Sequence, residues 1–479
     1  MMLERFRKNS TKGEAYTMQK IKRGIQYIVY AFIAIQIGMG IGWLIQNITA
    51  IPCFGDSTEY INLSQSLQLD EYRTILYPLI LRGAIAIGNR MHVSFQVLVY
   101  MGQILLSFGS IYYVCWNLLT CEDKTADWRK CLFYSLGIMT IPVVNFLNLT
   151  LLTDSLALSF MLVILVQIGK VWKCEKLHAV DIGLLAAAFL LEALVRADRI
   201  YSCTLYLAVY SVICLIKKVN WRRFVIVIVT VVLTACMAIG INRGTQTPGL
   251  YGRVSTNFDF VLLDRVVWPN MASNYDDFSE DIKNSISMEE AMKFDEHNNN
   301  VMYYLAPMLE ERVGTERASM MYREMAATVW KNEAGKVMRD TAKCFLGFFF
   351  PHTNAYLSYH GKTETNNGWN LHCWATKTAK FTDVYYHYYI FFFGIVIFSI
   401  TIVLSILKLM TSKNSSLHDA GFVLYAKKLV PYIAMSALIC AWFSLGDGAP
   451  PNDRYVTLCH VVWNLWMYGC FEHDLSADR

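Results

Sequence analysis

The chain has 479 residues, 55% of them hydrophobic and 17% charged, with a net charge of +5. That balance excludes an ordinary soluble globular protein of this size. A surplus of five charges says little by itself, because in a membrane chain the placement of Lys and Arg matters more than their sum.

Apolar runs of about 18 to 24 residues recur along the chain, long enough to cross a bilayer as helices. The expected class is therefore an all-α polytopic membrane protein with about ten transmembrane helices. In chain order the spans are expected at 25–48, 92–119, 131–147, 154–172, 180–195, 200–216, 224–241, 386–407, 429–446 and 455–471. The first is long for a signal-peptide core and has no clean small-residue cleavage site after it, so it reads as a retained anchor. Its Gly38 and Gly42 are spaced for close helix packing.

Segment 72–90 is apolar but carries Arg73, Arg82 and Arg90. If it does not cross, 22 of the 43 Lys and Arg fall in cytoplasmic segments and 6 in short outer ones. If it crosses, "KKVNWRR" (217–223) and every later basic loop move outside, against the positive-inside rule. Segment 72–90 is therefore expected to lie in the interface. Both termini are then cytoplasmic, and the absence of a recognisable eukaryotic sorting signal points to a bacterial plasma membrane.

Three regions follow. Residues 1–241 form an N-terminal transmembrane module whose first outer loop is 49–91. Residues 242–385 form a long extracytoplasmic loop, helical over 288–297 and 315–345, in which "CFLGFFFPH" (344–352) dips into the interface. Residues 386–479 supply the last helices, preceded by "VYYHYY" (384–389) as an aromatic belt. Most of the 13 cysteines lie in apolar runs, where Cys acts as a small hydrophobe, and none has zinc-site spacing.

On this topology Asp56 and Asp154 share the outer face. Asp56 in "DSTE" fits a helix cap with Glu59 in a capping box, or equally a rigidly held carboxylate able to accept a proton. Asp154 opens a span, as a cap or as a functional rim acid. Two such acids, with Glu59, could hold a divalent cation. Arg73, Arg82, Arg196, Arg199 and Arg454 are outer-face cations, suited to phosphate or simply snorkelling from helix ends. Glu192 and Arg196 are spaced to neutralise each other along one helix. His352 and His360 read as surface residues. No Walker or nucleophile-elbow pattern occurs, and no nucleic acid is expected as a partner.

Three stretches together carry a resemblance. "GDSTEYINLSQSL" followed by "YRTILYPLILRG" resembles the first outer loop of the GT-C type integral-membrane glycosyltransferases, in the branch of protein O-mannosyltransferases and lipid A aminoarabinose transferases. "TLLTDSLALSF" is similar to that family's acidic second outer loop, and "DRYVTLCHVVW" to the Arg-Tyr that opens a late span. The likeness covers residues 25 to about 172, with the family's basic-Pro-Pro stretch reading Arg-Thr-Ile-Leu-Tyr-Pro here. It implies a polyprenyl-phosphate sugar as donor and a glycan, lipid or protein as acceptor. It also implies Asp56 as catalytic base, with Asp154 or Glu59 as a second acid or as ligands of Mg or Mn. Arg73, Arg196, Arg199 and Arg454 would hold the donor phosphate, and Tyr60 and Tyr77 would flank the donor at the interface. A transporter or flippase for lipid-linked glycans, or a non-catalytic assembly subunit, is the alternative.

Overall fold

The computed structural model describes residues 2–48, 55–69, 73–118, 127–173, 178–196, 221–247, 259, 262–296, 305–347, 363–366, 369–372, 376–411 and 453–476. Nearly all of them are helical. The membrane-facing part begins with α1 (Met2–Asn47), α2 (Gly55–Ser66), α3 (Leu76–Met91), α4 (Phe95–Leu118) and α5 (Trp128–Met139). It continues with α6 (Pro142–Asn148), α7 (Asp154–Lys173), α8 (Ala179–Val195) and α9 (Trp221–Thr245).

Among the described residues, four helical stretches are long and apolar enough to cross a membrane: Lys20–Asn47, Phe95–Asn117, Trp221–Thr245 and Lys380–Ile406. The shortest, 23 residues, rises about 35 Å, more than the hydrocarbon core of about 30 Å. Lipid-facing side chains follow from this, and Val229, Val232, Leu233 and Met237 of α9 are exposed. Ten spans are not seen. The expected spans 200–216 and 429–446 lie outside the described residues, and 154–172, 180–195 and 455–471 form helices that are shorter or less apolar. Helix α3 has 16 residues, about 24 Å, too short to cross upright.

The expected span 131–147 is broken. Helices α5 and α6 meet at 77°, and the cause is Pro142. A proline disfavours helical geometry in the residue before it, so Ile141 is extended (φ −64°, ψ 133°) and Pro142 opens α6, where no N–H is needed. Thr140 closes α5, its hydroxyl donating to the Leu136 carbonyl at 2.7 Å. Every residue from Gly137 to Ser159 is buried, so this bend lies inside protein and not against lipid.

Helix α1 packs on the bend through Gly40, not through Gly38 and Gly42. A Cβ at Gly40 would come 2.5 Å from Thr140 Cβ and 2.8 Å from the Tyr385 hydroxyl, whereas one at Gly38 would meet nothing within 4 Å. Asn145 of α6 completes the knot, its amide donating to the Gly40 carbonyl at 3.1 Å and to the Tyr385 hydroxyl at 2.9 Å.

The long loop contains a helical unit with its own core. After short turns at Leu263–Asp277 come α10 (Glu280–Ser285), α11 (Met288–Glu296), α12 (Ala306–Val313) and α13 (Thr315–Gly347). The expected helices 288–297 and 315–345 are α11 and α13. Val267, Ile282, Leu309, Tyr322, Met325 and Val329 meet in the middle. Helix α13 is interrupted at Glu333 (φ −127°, ψ 28°), whose carboxylate accepts from Ser273 and Asn274 at 2.7 and 2.8 Å. An antiparallel hairpin, β1 (Thr363–Asn366) with β2 (Trp369–His372), was not foreseen in an all-α chain. Of the stretch 344–352, α13 takes the first four residues and the rest lies outside the described residues.

Helix α14 (Thr376–Tyr389) runs through a π-helical stretch, Ile390–Ile397, into α15 (Phe398–Thr411); α16 (Asp453–Ser476) closes the chain. The aromatic-belt expectation for 384–389 is corrected here. Tyr385, Tyr386 and Tyr389 are buried, and the Tyr385 and Tyr389 hydroxyls find polar partners in protein. Tyr389 accepts from Asn464 at 2.9 Å, and Tyr388 donates to the Phe32 carbonyl at 3.0 Å. Helix α16 is buried on nearly every side over 457–471. Its far end is locked by Glu472, which accepts from Tyr30 at 2.7 Å, from Tyr134 at 2.5 Å and from Lys130.

Candidate functional site

Several chain segments converge at one end of the bundle: α2, residues 67–69 and 73–75, the start of α3, the start of α7, the end of α8 and the end of α9. The convergence begins with α2. Ser57, Tyr60, Ile61 and Ser64 recur at helical spacing and are buried, turning Asp56 and Glu59 to the half-buried flank. The helix starts at Gly55, so Asp56 lies within its first turn.

Both acids face Arg73. Its Nη2 lies 3.1 Å from Asp56 Oδ1 and bonds Glu59 Oε2 as well. Its Nη1 donates to the Tyr60 hydroxyl at 3.3 Å, and the guanidinium carbon sits 4.9 Å from the Tyr60 ring centroid. Burial alone would lower the Arg73 pKa. The neighbouring Tyr60 hydroxyl, the Asp56 and Glu59 carboxylates and the bond that Arg73 donates to Glu59 more than offset this and hold it well above its ordinary value. Arg73 is a fixed cation.

Tyr60 in turn stacks edge-on against Tyr77, with ring centroids 5.0 Å apart. Tyr77 is fully buried and its hydroxyl reaches Gln103 Oε1 at 3.3 Å. The Gln103 amide nitrogen donates to the carbonyls of Asn148 and Thr150, both at 3.0 Å. These bonds fix the non-helical turn that delivers Asp154 to the start of α7. A lone glutamine in an apolar run has no periodic or motif signature, and Gln103 was not foreseen.

Asp154 is buried, its side chain 2% exposed, and it accepts from Arg196 Nη1 at 2.5 Å. The expectation that Glu192 neutralises Arg196 along α8 is thereby corrected: the guanidinium turns to a neighbouring helix. Helix α8 ends beside Arg73, where Thr74 Oγ1 donates to the Val195 carbonyl at 2.8 Å. The long loop also starts here. Gln246 Nε2 donates to the Arg73 carbonyl at 3.0 Å, and the Thr247 N–H to the Leu69 carbonyl at 2.9 Å.

The structure thus brings together Asp56, Glu59, Tyr60, Arg73 and Tyr77, and ties Asp154 and Arg196 to them through Thr74 and Gln103. Arg82 is exposed on α3. Arg199, His352 and His360 lie outside the described residues; Arg454 is in the first turn of α16, and its side chain lies outside them too.

Asp56 and Asp154 each face a guanidinium, and among the described residues no three His, Cys, Asp or Glu side chains group closely enough to hold a metal. The site holds three carboxylates, two arginines and two tyrosines at the end of an apolar bundle. Such a set can bind an anionic group and accept a proton.

No protein-family model matches the chain, and neither does any curated protein or solved structure.

Proposed function

We propose that this chain is a membrane glycosyltransferase that moves a sugar from a polyprenyl-phosphate donor to an acceptor at the extracytoplasmic face of a plasma membrane. The observation that carries the proposal is the position of Arg73 between Asp56 and Glu59, where residues 73–75 lead into the short apolar helix α3. A lipid-linked phosphate sugar needs a greasy interfacial support, a cation for its phosphate and a carboxylate for the acceptor hydroxyl. Helix α3, Arg73 and Asp56 supply these in that order.

Asp56 accepts the proton of the acceptor hydroxyl as that oxygen bonds the anomeric carbon. The bond from that carbon to the phosphate oxygen breaks, and its electron pair leaves with the polyprenyl phosphate. Arg73 lies within reach of Asp56 to stabilise the charge that gathers there. Attack opposite the leaving group inverts the anomeric carbon. Arg196 supports the site by neutralising the buried Asp154, and the loop 242–385, departing from the Arg73 backbone through Gln246, covers the site and shapes acceptor choice.

The test is release of polyprenyl phosphate by the purified protein from a panel of short polyprenyl-phosphate sugars, with a membrane extract as acceptor source. Release above a protein-free control supports the proposal. No release from any donor counts against it and moves the weight to a transporter or assembly subunit.

A further inference from the structure

Arg73 is one cation shared by two carboxylates. Asp56 and Glu59 stand three residues apart on α2, and the same guanidinium nitrogen faces both. The trio therefore carries one surplus negative charge. The main chain beneath it is fixed separately, since Gln246 holds the Arg73 carbonyl and Thr74 holds the end of α8. The backbone can thus stay in place while the half-buried side chain, 18% exposed, changes partners.

We propose that Arg73 is a latch displaced by the substrate's phosphate, with Glu59 the positioning residue that holds it shut. In the donor-free protein the guanidinium holds Asp56 Oδ1 and Glu59 Oε2, so the Asp56 oxygen that would take the acceptor's proton is already engaged. The phosphodiester of a polyprenyl-phosphate sugar offers two non-bridging oxygens that share a negative charge in the fork geometry that arginine prefers, and it draws the guanidinium away. The departing guanidinium releases Asp56 Oδ1 to take the proton of the acceptor hydroxyl. Asp56 becomes a competent base only when a donor is seated. The latch rests on the transferase proposal above but makes its own claim about binding.

That claim is tested with a ligand that has no sugar. Farnesyl phosphate binding to the purified full-length protein is titrated for the parent and for Glu59→Gln, Asp56→Asn and Arg73→Gln, with farnesol as the uncharged control. Removing either carboxylate removes a competitor, so Glu59→Gln and Asp56→Asn should each bind about threefold tighter. Arg73→Gln should lose binding by about tenfold or more, and farnesol should not distinguish the four. A purely structural Glu59 would give unchanged or weaker binding on substitution, which overturns the latch, as does equal binding by Arg73→Gln and parent. If Glu59→Gln does not fold, Asp56→Asn carries the same prediction. Sugar transfer is assayed on the same parent preparation. The predicted binding order without any transfer counts against the transferase, and transfer without that order counts against the latch.

Discussion

Arg196 closes on Asp154 at 2.5 Å, joining the end of α8 to the start of α7. Both partners are largely withdrawn from solvent, with side chains 13% and 2% exposed. A pair in that setting contributes little net stability when intact, because each charge has been stripped of water. Losing one partner is costly, because the other stays buried without its counter-ion. Arg196→Gln is expected to destabilise the protein by roughly 3 kcal/mol, and Asp154→Asn with Arg196→Gln together by much less. Thermal unfolding of the single and double variants in detergent measures the difference.

The crossing of α1 over the α5–α6 bend depends on Gly40. A methyl group there would collide with Thr140, so Gly40→Ala should cost about 1–3 kcal/mol. Gly38→Ala meets open space and should be neutral or slightly stabilising. The unfolding midpoints of the two variants, measured side by side, separate the positions.

Gln103 holds a turn with no regular structure of its own. Replacing it by Leu leaves the carbonyls of Asn148 and Thr150 without this donor, and should cost about 2 kcal/mol. Tyr77→Phe breaks just the 3.3 Å bond to Gln103 and should cost about 1 kcal/mol or less. Because the turn places Asp154, Gln103→Leu should also lower any transfer activity, while Tyr77→Phe should retain most of it.

The loop unit has a built-in acid sensitivity. Glu290 accepts from Arg312 at 2.6 Å and 3.0 Å, and from Ser287. The bond from Arg312 comes first among the causes that hold the Glu290 carboxyl at about 2, below its ordinary 4.5. A depressed carboxylate contributes stability that is fully present above pH 4.5. That contribution should fade as pH falls from about 4.5 toward 2. Protease susceptibility of the loop across this window should rise in the parent, and Glu290→Gln should already be susceptible at neutral pH and change less.

Parts of this arrangement are legible in the sequence. The order acid, Tyr, Arg, Tyr-Pro in 56–78 brings Asp56, Tyr60, Arg73 and Tyr77 together because only a short connector separates α2 from α3. Amphipathic spacing gives α11 and α13 to within a few residues. The Asp154–Arg196 pair is not legible, because local spacing offers Arg196 a closer partner in Glu192 and a contact 42 residues away has no periodicity. The bend at Pro142 hides inside an apolar run, since hydropathy reports burial and not direction. Tyr385 and Tyr389 mislead for a related reason: a cluster of tyrosines ahead of an apolar helix has the same composition at a lipid interface and in a core. Only the hydroxyl partners distinguish the two.

The central claim is that Asp56 accepts the proton during sugar transfer. The most direct test compares turnover by the parent and Asp56→Asn on one polyprenyl-phosphate sugar, with thermal unfolding recorded on both preparations. The account predicts a fall of about 10²-fold or more in a variant that is folded and still binds farnesyl phosphate. Undiminished turnover by the folded variant would contradict it and leave Asp56 as no more than the first-turn partner of Arg73.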